Sequence, residues 1–133
     1  MLYFETMVQR KRGAIISLIG SGAPARWEHL SAGSATGALT SFTQAVGARS
    51  SDFGVRVLGV NPPTTRTQRL IDLYKAFARQ RLGDEERWEE LLKDLPFGRL
   101  AEPEEVAAVV VMLASERASY VSGTVMTIHG WRA

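Results

Sequence analysis

Apolar residues recur along this chain at two different spacings, and the switches between them mark out its elements. Leu2, Phe4 and Met7, followed by Arg10, Lys11 and Arg12, read as the last turns of a helix with cations at the negative end of its dipole and Gly13 as its stop. A helix already in its final turns at residue 1 carries the expectation of further chain upstream. Ala14 to Ile19 is a short apolar run rich in Ile, the pattern of a strand buried on both faces of a parallel sheet, and Gly20 to Ala25 breaks it. From Ser34 to about Ala48, Leu39, Phe42 and Val46 return at three- and four-residue spacing among the small Ala35, Ala38 and Ala45, which predicts a helix with a smooth face. Gly54 to Val60 reads as the next strand, ended by Asn61-Pro62-Pro63 because proline cannot donate to a ladder.

Two charged amphipathic segments follow, Thr67 to Leu82 and Asp84 to Leu95, separated by Gly83, with Asp84 as N-cap and Pro96 as stop. They form a helical, lid-like insertion over about residues 67–96. Glu102-Pro103-Glu104-Glu105 then starts a helix that runs to about Ser115, with carboxylates at the positive end of the dipole, and Thr124 to Ile128 is the final strand. Strands alternating with helices predict an α/β fold in which about three parallel strands are joined by right-handed crossovers and flanked by helices. With no repeat, low-complexity tract or flexible linker, the 133 residues read as a single domain.

Composition narrows the chemistry. Of the 16 basic residues 13 are Arg, yet 14 acids leave a net charge of only +2, which does not point to nucleic acid. Zero cysteines exclude a disulfide, a thiolate nucleophile and a Cys-rich zinc site. The longest apolar run, Val106 to Ala114, is about half the roughly 18 residues needed to cross a bilayer, and MLYFETMVQRKR lacks the order of a secretory signal. The expectation is a cytoplasmic protein without a membrane segment.

Three stretches carry more than their periodicity. GAIISLIG, GVRVLGVNPPTTRT and PFGRLAEPEE with the later SYVSGTV stand in the order and at the separations of the second half of a short-chain dehydrogenase/reductase, which this chain resembles from Met7 to Gly130. The resemblance implies a partial doubly wound, Rossmann-like sheet without the first-half nucleotide-binding strands. It implies NAD or NADP as cofactor, with Pro62, Thr65 and Thr67 in the loop that lies over the nicotinamide, and an alcohol or carbonyl as substrate. It also implies a homo-oligomer packed through helices at about residues 1–12 and 34–48, a contact that the small Ala35, Ala38 and Ala45 suit.

Members of that family use a serine after the first of these strands and a Tyr-x-x-x-Lys pair. The pair is needed because an isolated phenol, with a pKa near 10, is a poor base until a neighbouring cation stabilises phenolate; four residues put both groups on one helix face. Here Tyr3, Tyr74 and Tyr120 are followed at that distance by Met7, Ala78 and Thr124. Anchoring on Gly37-Ala38-Leu39 and Thr43 sets Ala32 at the tyrosine position, Thr36 at the lysine position and Gly20, with Ser21 beside it, at the serine position. No shift of register repairs the pair, since residues 13–73 contain neither Tyr nor Lys. Ser21 is the remaining catalytic candidate. The family usually has glycine after the loop proline, where this chain has Pro63, which fixes its own φ and restricts Pro62.

Other motifs read more plainly. Gly20-Ser21-Gly22-Ala23-Pro24-Ala25 matches a dinucleotide fingerprint, but it opens no helix directly and the next Asp is Asp52, so it reads as a loop. His29 and His129 are too few for a metal site, and Arg66, Arg69, Arg79 and Arg81 read as solvated helix faces balanced by Asp72, Asp84, Glu85 and Glu86 rather than as a phosphate clamp. The residues thus predict a family member inactive as this chain. Two alternatives stand beside that reading: an enzyme with a rearranged site using Ser21, His29 or Ser34, and a non-catalytic assembly subunit.

Overall fold

The structure is a computed structural model, and it describes residues 2–20 and 30–128. They fall into two compact units, Met1–Pro62 with Ala108–Thr127, and a second around Pro63–Ala107.

The first unit is built on three parallel strands, β1 (Gly13–Leu18), β2 (Val55–Asn61) and β3 (Val125–Thr127), in the order β1-β2-β3. Val55, Val57, Leu58 and Val60 are each at most 2% exposed, so neighbouring residues that point to opposite faces are both buried. That is the signature of a central parallel strand covered on both sides. β1 departs from expectation. It is half-buried, with Leu18 60% exposed, because among the described residues it has a strand neighbour on one side only.

α1 (Leu2–Arg10) ends differently from the sequence reading. The left-handed residue is Lys11 (φ 50°), and the bonds Lys11 N–H to Val8 O and Arg12 N–H to Met7 O, both 3.1 Å, close a Schellman turn. Gly13 instead opens β1, where the Met7 side chain lies so close that a Cβ would meet its sulfur at 2.5 Å. α2 (Leu30–Ser50) is longer at both ends than its periodicity predicts and buries Thr43, Gly47 and Ser50. A short 3-10 turn, Ser51–Phe53, leads into β2. Ahead of β3, Ser122 Oγ accepts from Val57 N–H (3.1 Å) and donates to Gly47 O (2.9 Å), while Gly123 N–H donates to Val57 O (2.8 Å). One hydroxyl therefore stitches the central strand to the end of α2.

In the second unit, α3 (Gln68–Leu82) is capped by Thr67 and stopped by Gly83, which takes the left-handed conformation (φ 75°) that glycine adopts most readily. Asp84 caps the next segment as the sequence suggests, accepting from Glu86 N–H at 2.9 Å. That segment, Glu85–Asp94, is a 3-10 helix rather than an α-helix, with non-helical backbone angles at Arg87. Trp88 and Leu92 from it join Ala78 and Leu100 in a separate small core, with Ile71, Tyr74, Leu82, Leu91 and Leu95 around it. Pro96–Gly98 makes a further turn, and α4 (Pro103–Ala114) follows, its residues from Ala108 counting with the first unit. Among the described residues no helix is long and apolar enough to cross a membrane, and no cluster of His, Cys, Asp or Glu could hold a metal ion.

Candidate functional site

Parallel α/β sheets bind ligands beyond the carboxyl ends of their strands, so the ends of β1, β2 and β3 are where a site has to be sought. Asn61 closes β2. Its Nδ2 donates to Thr127 Oγ1 at the end of β3 (3.3 Å), while its Oδ1 is buried without a hydrogen-bond partner among the described residues. Buried acceptors are rarely left unpaired, and this one calls for an N–H or O–H donor.

Beyond β1, Gly20 (φ 107°) sits against α2, and a Cβ placed on it would lie 3.6 Å from Thr36 Cγ2. Thr36 is half-buried there and its hydroxyl donates to Gly33 O (3.1 Å); Ala32, one turn earlier, is exposed, as is Ser34. Thr36 thus stands at the end of β1 with a hydroxyl already engaged within its own helix. Ser21 and His29 lie outside the described residues. Amide and hydroxyl groups can orient a ligand, yet none of those found here titrates near neutrality, so they are not general bases.

The two tyrosines with described side chains do not substitute. Tyr120 is fully exposed, and Tyr74 belongs to the second unit, where burial pushes its phenol above the ordinary value while Arg81 only partly opposes it. A catalytic phenol needs the opposite shift.

Thr65 and Thr67 occupy structural positions in the second unit. Thr65 Oγ1 donates to Pro63 O (2.8 Å), and Thr67 Oγ1 caps α3 by accepting from Leu70 N–H at 3.4 Å. Pro62, at the end of the first unit, is half-buried.

At the other ends of the strands, the first unit has a cavity of about 920 Å³ bordered by Lys11, Arg12, Arg56, Ser51, Glu116 and Tyr120. Its cations are largely committed. Arg56 donates to the carbonyls of Leu113 (2.6 Å), Ala114 (3.1 Å) and Ser115 (3.2 Å), closing the end of α4, and Arg12 pairs with Glu116 (3.2 Å). This end is a set of helix termini held by guanidinium groups.

The sequence signal for Asn61 is an amide at the last position of a strand whose only other polar side chain is Arg56, directly before proline. Ser122 stands in the sequence only within SYVSGTV, and the structure gives its hydroxyl the role of a joint between β2 and α2.

Residues 1–130 match the family model described as enoyl-(acyl carrier protein) reductase. The uncharacterized oxidoreductase YxbG of Bacillus subtilis (strain 168) is 33% identical over 130 residues, covering 96% of this chain and 46% of that protein. Cyclohexanol dehydrogenase of Rhodococcus sp. (strain TK6) is 32% identical over 128 residues, covering 93% and 44%. The crystal structure of L-sorbose reductase from Gluconobacter frateurii, complexed with NADPH and L-sorbose, superposes with a TM-score of 0.82 at 27% identity, covering 95% of this chain and 49% of that one. The chain spans about half the length of the curated relatives it matches.

Proposed function

The chain belongs to the short-chain dehydrogenase/reductase family, and from that premise we propose that it derives from an NAD(P)-dependent oxidoreductase of alcohols or carbonyls and is inactive as this isolated chain. What supports the reading is that residues 13–73 hold neither Tyr nor Lys, and that Ala32 and Thr36, at the positions the family resemblance gives to the Tyr-x-x-x-Lys pair, are exposed and hydrogen-bonded within α2 respectively. Losing the acid/base pair removes a contribution of about 10²–10⁴-fold from proton transfer alone.

Nicotinamide cofactors supply hydride transfer when bound. Pro62, Thr65 and Thr67 are the residues that would hold one, with Ser21 to meet the substrate oxygen. The Asn61 Oδ1, unpaired among the described residues, suits a ligand N–H or O–H, whereas Pro63 has no N–H to offer. NAD or NADP and a small alcohol or carbonyl remain the ligand classes of this reading, in a cytoplasmic single-domain protein with the insertion at about 67–96 as its lid.

Incubating the purified chain with NADH or NADPH and a panel of ketones tests it. Cofactor oxidation is expected at the level of the blank. Oxidation above blank would overturn the proposal and favour a rearranged site using Ser21, His29 or Ser34.

The assembly reading has its own observation. Ala35, Ala38 and Ala45 are exposed on α2, with Phe42 58% exposed among them, so an apolar stripe faces away from the buried Thr43, Gly47 and Ser50. That stripe and α1 are the surfaces through which we propose that copies of the chain associate.

A further inference from the structure

The second unit closes on itself. Thr65 lies beside Ala101 in a parallel bridge; Ala101 N–H donates to Thr64 O (3.0 Å) and Arg66 N–H to Ala101 O (2.7 Å). Between these two points α3 and Glu85–Asp94 pack on a common core of Ala78, Trp88, Leu92 and Leu100. Arg66 touches both the closure and the core. Its Nε donates to Glu102 Oε1 at 3.0 Å, and its guanidinium lies 5.8 Å from the centre of the Trp88 ring, a residue only 8% exposed. Among the other cations, Lys75 pairs with Glu86, Arg79 with Glu85 and Arg87 with Glu90, and Arg81 lies over Phe77, all inside the segment, while Arg99 pairs with Glu105 just beyond its end.

We infer that residues 64–102 open and close as one cooperative unit, and that Arg66 is its latch. Local opening in proteins proceeds through contiguous segments with their own contacts, and a segment whose two ends are joined beside its own core meets that condition. The latch combines an ion pair whose side chains are 35% and 45% exposed with a cation–π contact to a nearly buried ring. Each is modest alone, and together they amount to about tenfold in an opening equilibrium. Thr65 and Thr67 flank Arg66, so the order of that loop and the integrity of the whole insertion are a single equilibrium.

Amide hydrogen exchange on the full chain tests this, comparing the unaltered protein with Arg66→Ala, Glu102→Gln and, as a control on the same surface, the exposed Arg69→Ala. Arg66→Ala is expected to speed exchange about tenfold, by a common factor, at Arg66, Ala101, Ala78, Trp88 and Leu92, with Val57 and Leu58 in β2 unchanged. Glu102→Gln should give the same pattern with a smaller factor, and Arg69→Ala no change. Acceleration confined to Arg66 and Ala101 would overturn the cooperative unit. Equal acceleration in β2, or none anywhere, would overturn the latch.

Discussion

Gly47 of α2 and Gly123 ahead of β3 meet backbone to backbone, so closely that a Cβ on Gly47 would fall inside contact distance of the Gly123 N and Cα and of the Val57 carbonyl. The helix can approach the sheet to this depth only because neither residue has a side chain. All three groups in the way are main chain and cannot rotate aside. Gly47→Ala should therefore cost about 1–3 kcal/mol through overpacking, whereas Gly37→Ala in the same helix, with open space around it, should gain about 0.5–1 kcal/mol. Urea unfolding of both variants checks the opposite signs.

Arg56 sits in β2 and closes α4 by donating to three consecutive carbonyls, Leu113, Ala114 and Ser115. A lysine ammonium is a single point and cannot span them as a planar fork does. Arg56→Lys should destabilise by about 1–3 kcal/mol despite keeping the charge, and thermal unfolding measures it.

Glu105 is held by Arg99 through two bonds of 2.6 and 2.7 Å and accepts from Glu102 N–H at 2.8 Å. The Arg99 hydrogen bond first, then the backbone N–H, lower its carboxyl from 4.5 to about 2. Since the folded value is the depressed one, this contribution to stability is present above pH 4.5 and disappears as pH falls from there towards 2. Glu105→Gln should remove that part of the acid limb. A stability–pH curve whose slope between 4.5 and 2 is unchanged in the variant would contradict it.

Phe42 is the bulky residue of the exposed stripe on α2. A carboxylate in its place would have to be desolvated in any helix-to-helix contact, so Phe42→Asp should shift the chain towards monomer with its fold intact. Sedimentation velocity combined with circular dichroism reads both.

Much of the fold was legible because its elements are marked redundantly. The Ile- and Val-rich runs of β1 and β2, the cap Asp84, and the stop at Gly83 each point to one local structure. What escaped had a physical reason. Lys11 rather than Gly13 takes the left-handed turn because Gly13 is needed for contact with Met7, and such a tertiary demand leaves no periodic trace. Asp84 to Leu95 is helical as its pattern predicts, but the spacing of Trp88, Leu91, Leu92 and Leu95 serves a 3-10 helix as well as an α-helix and does not tell the two apart. Burial of β1 depends on what lies beside it, which its own residues do not encode. The lack of Tyr and Lys across residues 13–73 is plain in the sequence, while Asn61 stands out only through its Oδ1, unpaired among the described residues.

Thr65 and Ala101 lie side by side, so the chain leaves its path and returns to it at nearly the same place. A detour with adjoining ends can change length freely, since the entropy of closing it grows only as the logarithm of the number of residues. Insertions or deletions between those two points therefore cost little in closure entropy, each doubling of the segment adding only about 0.6 kcal/mol.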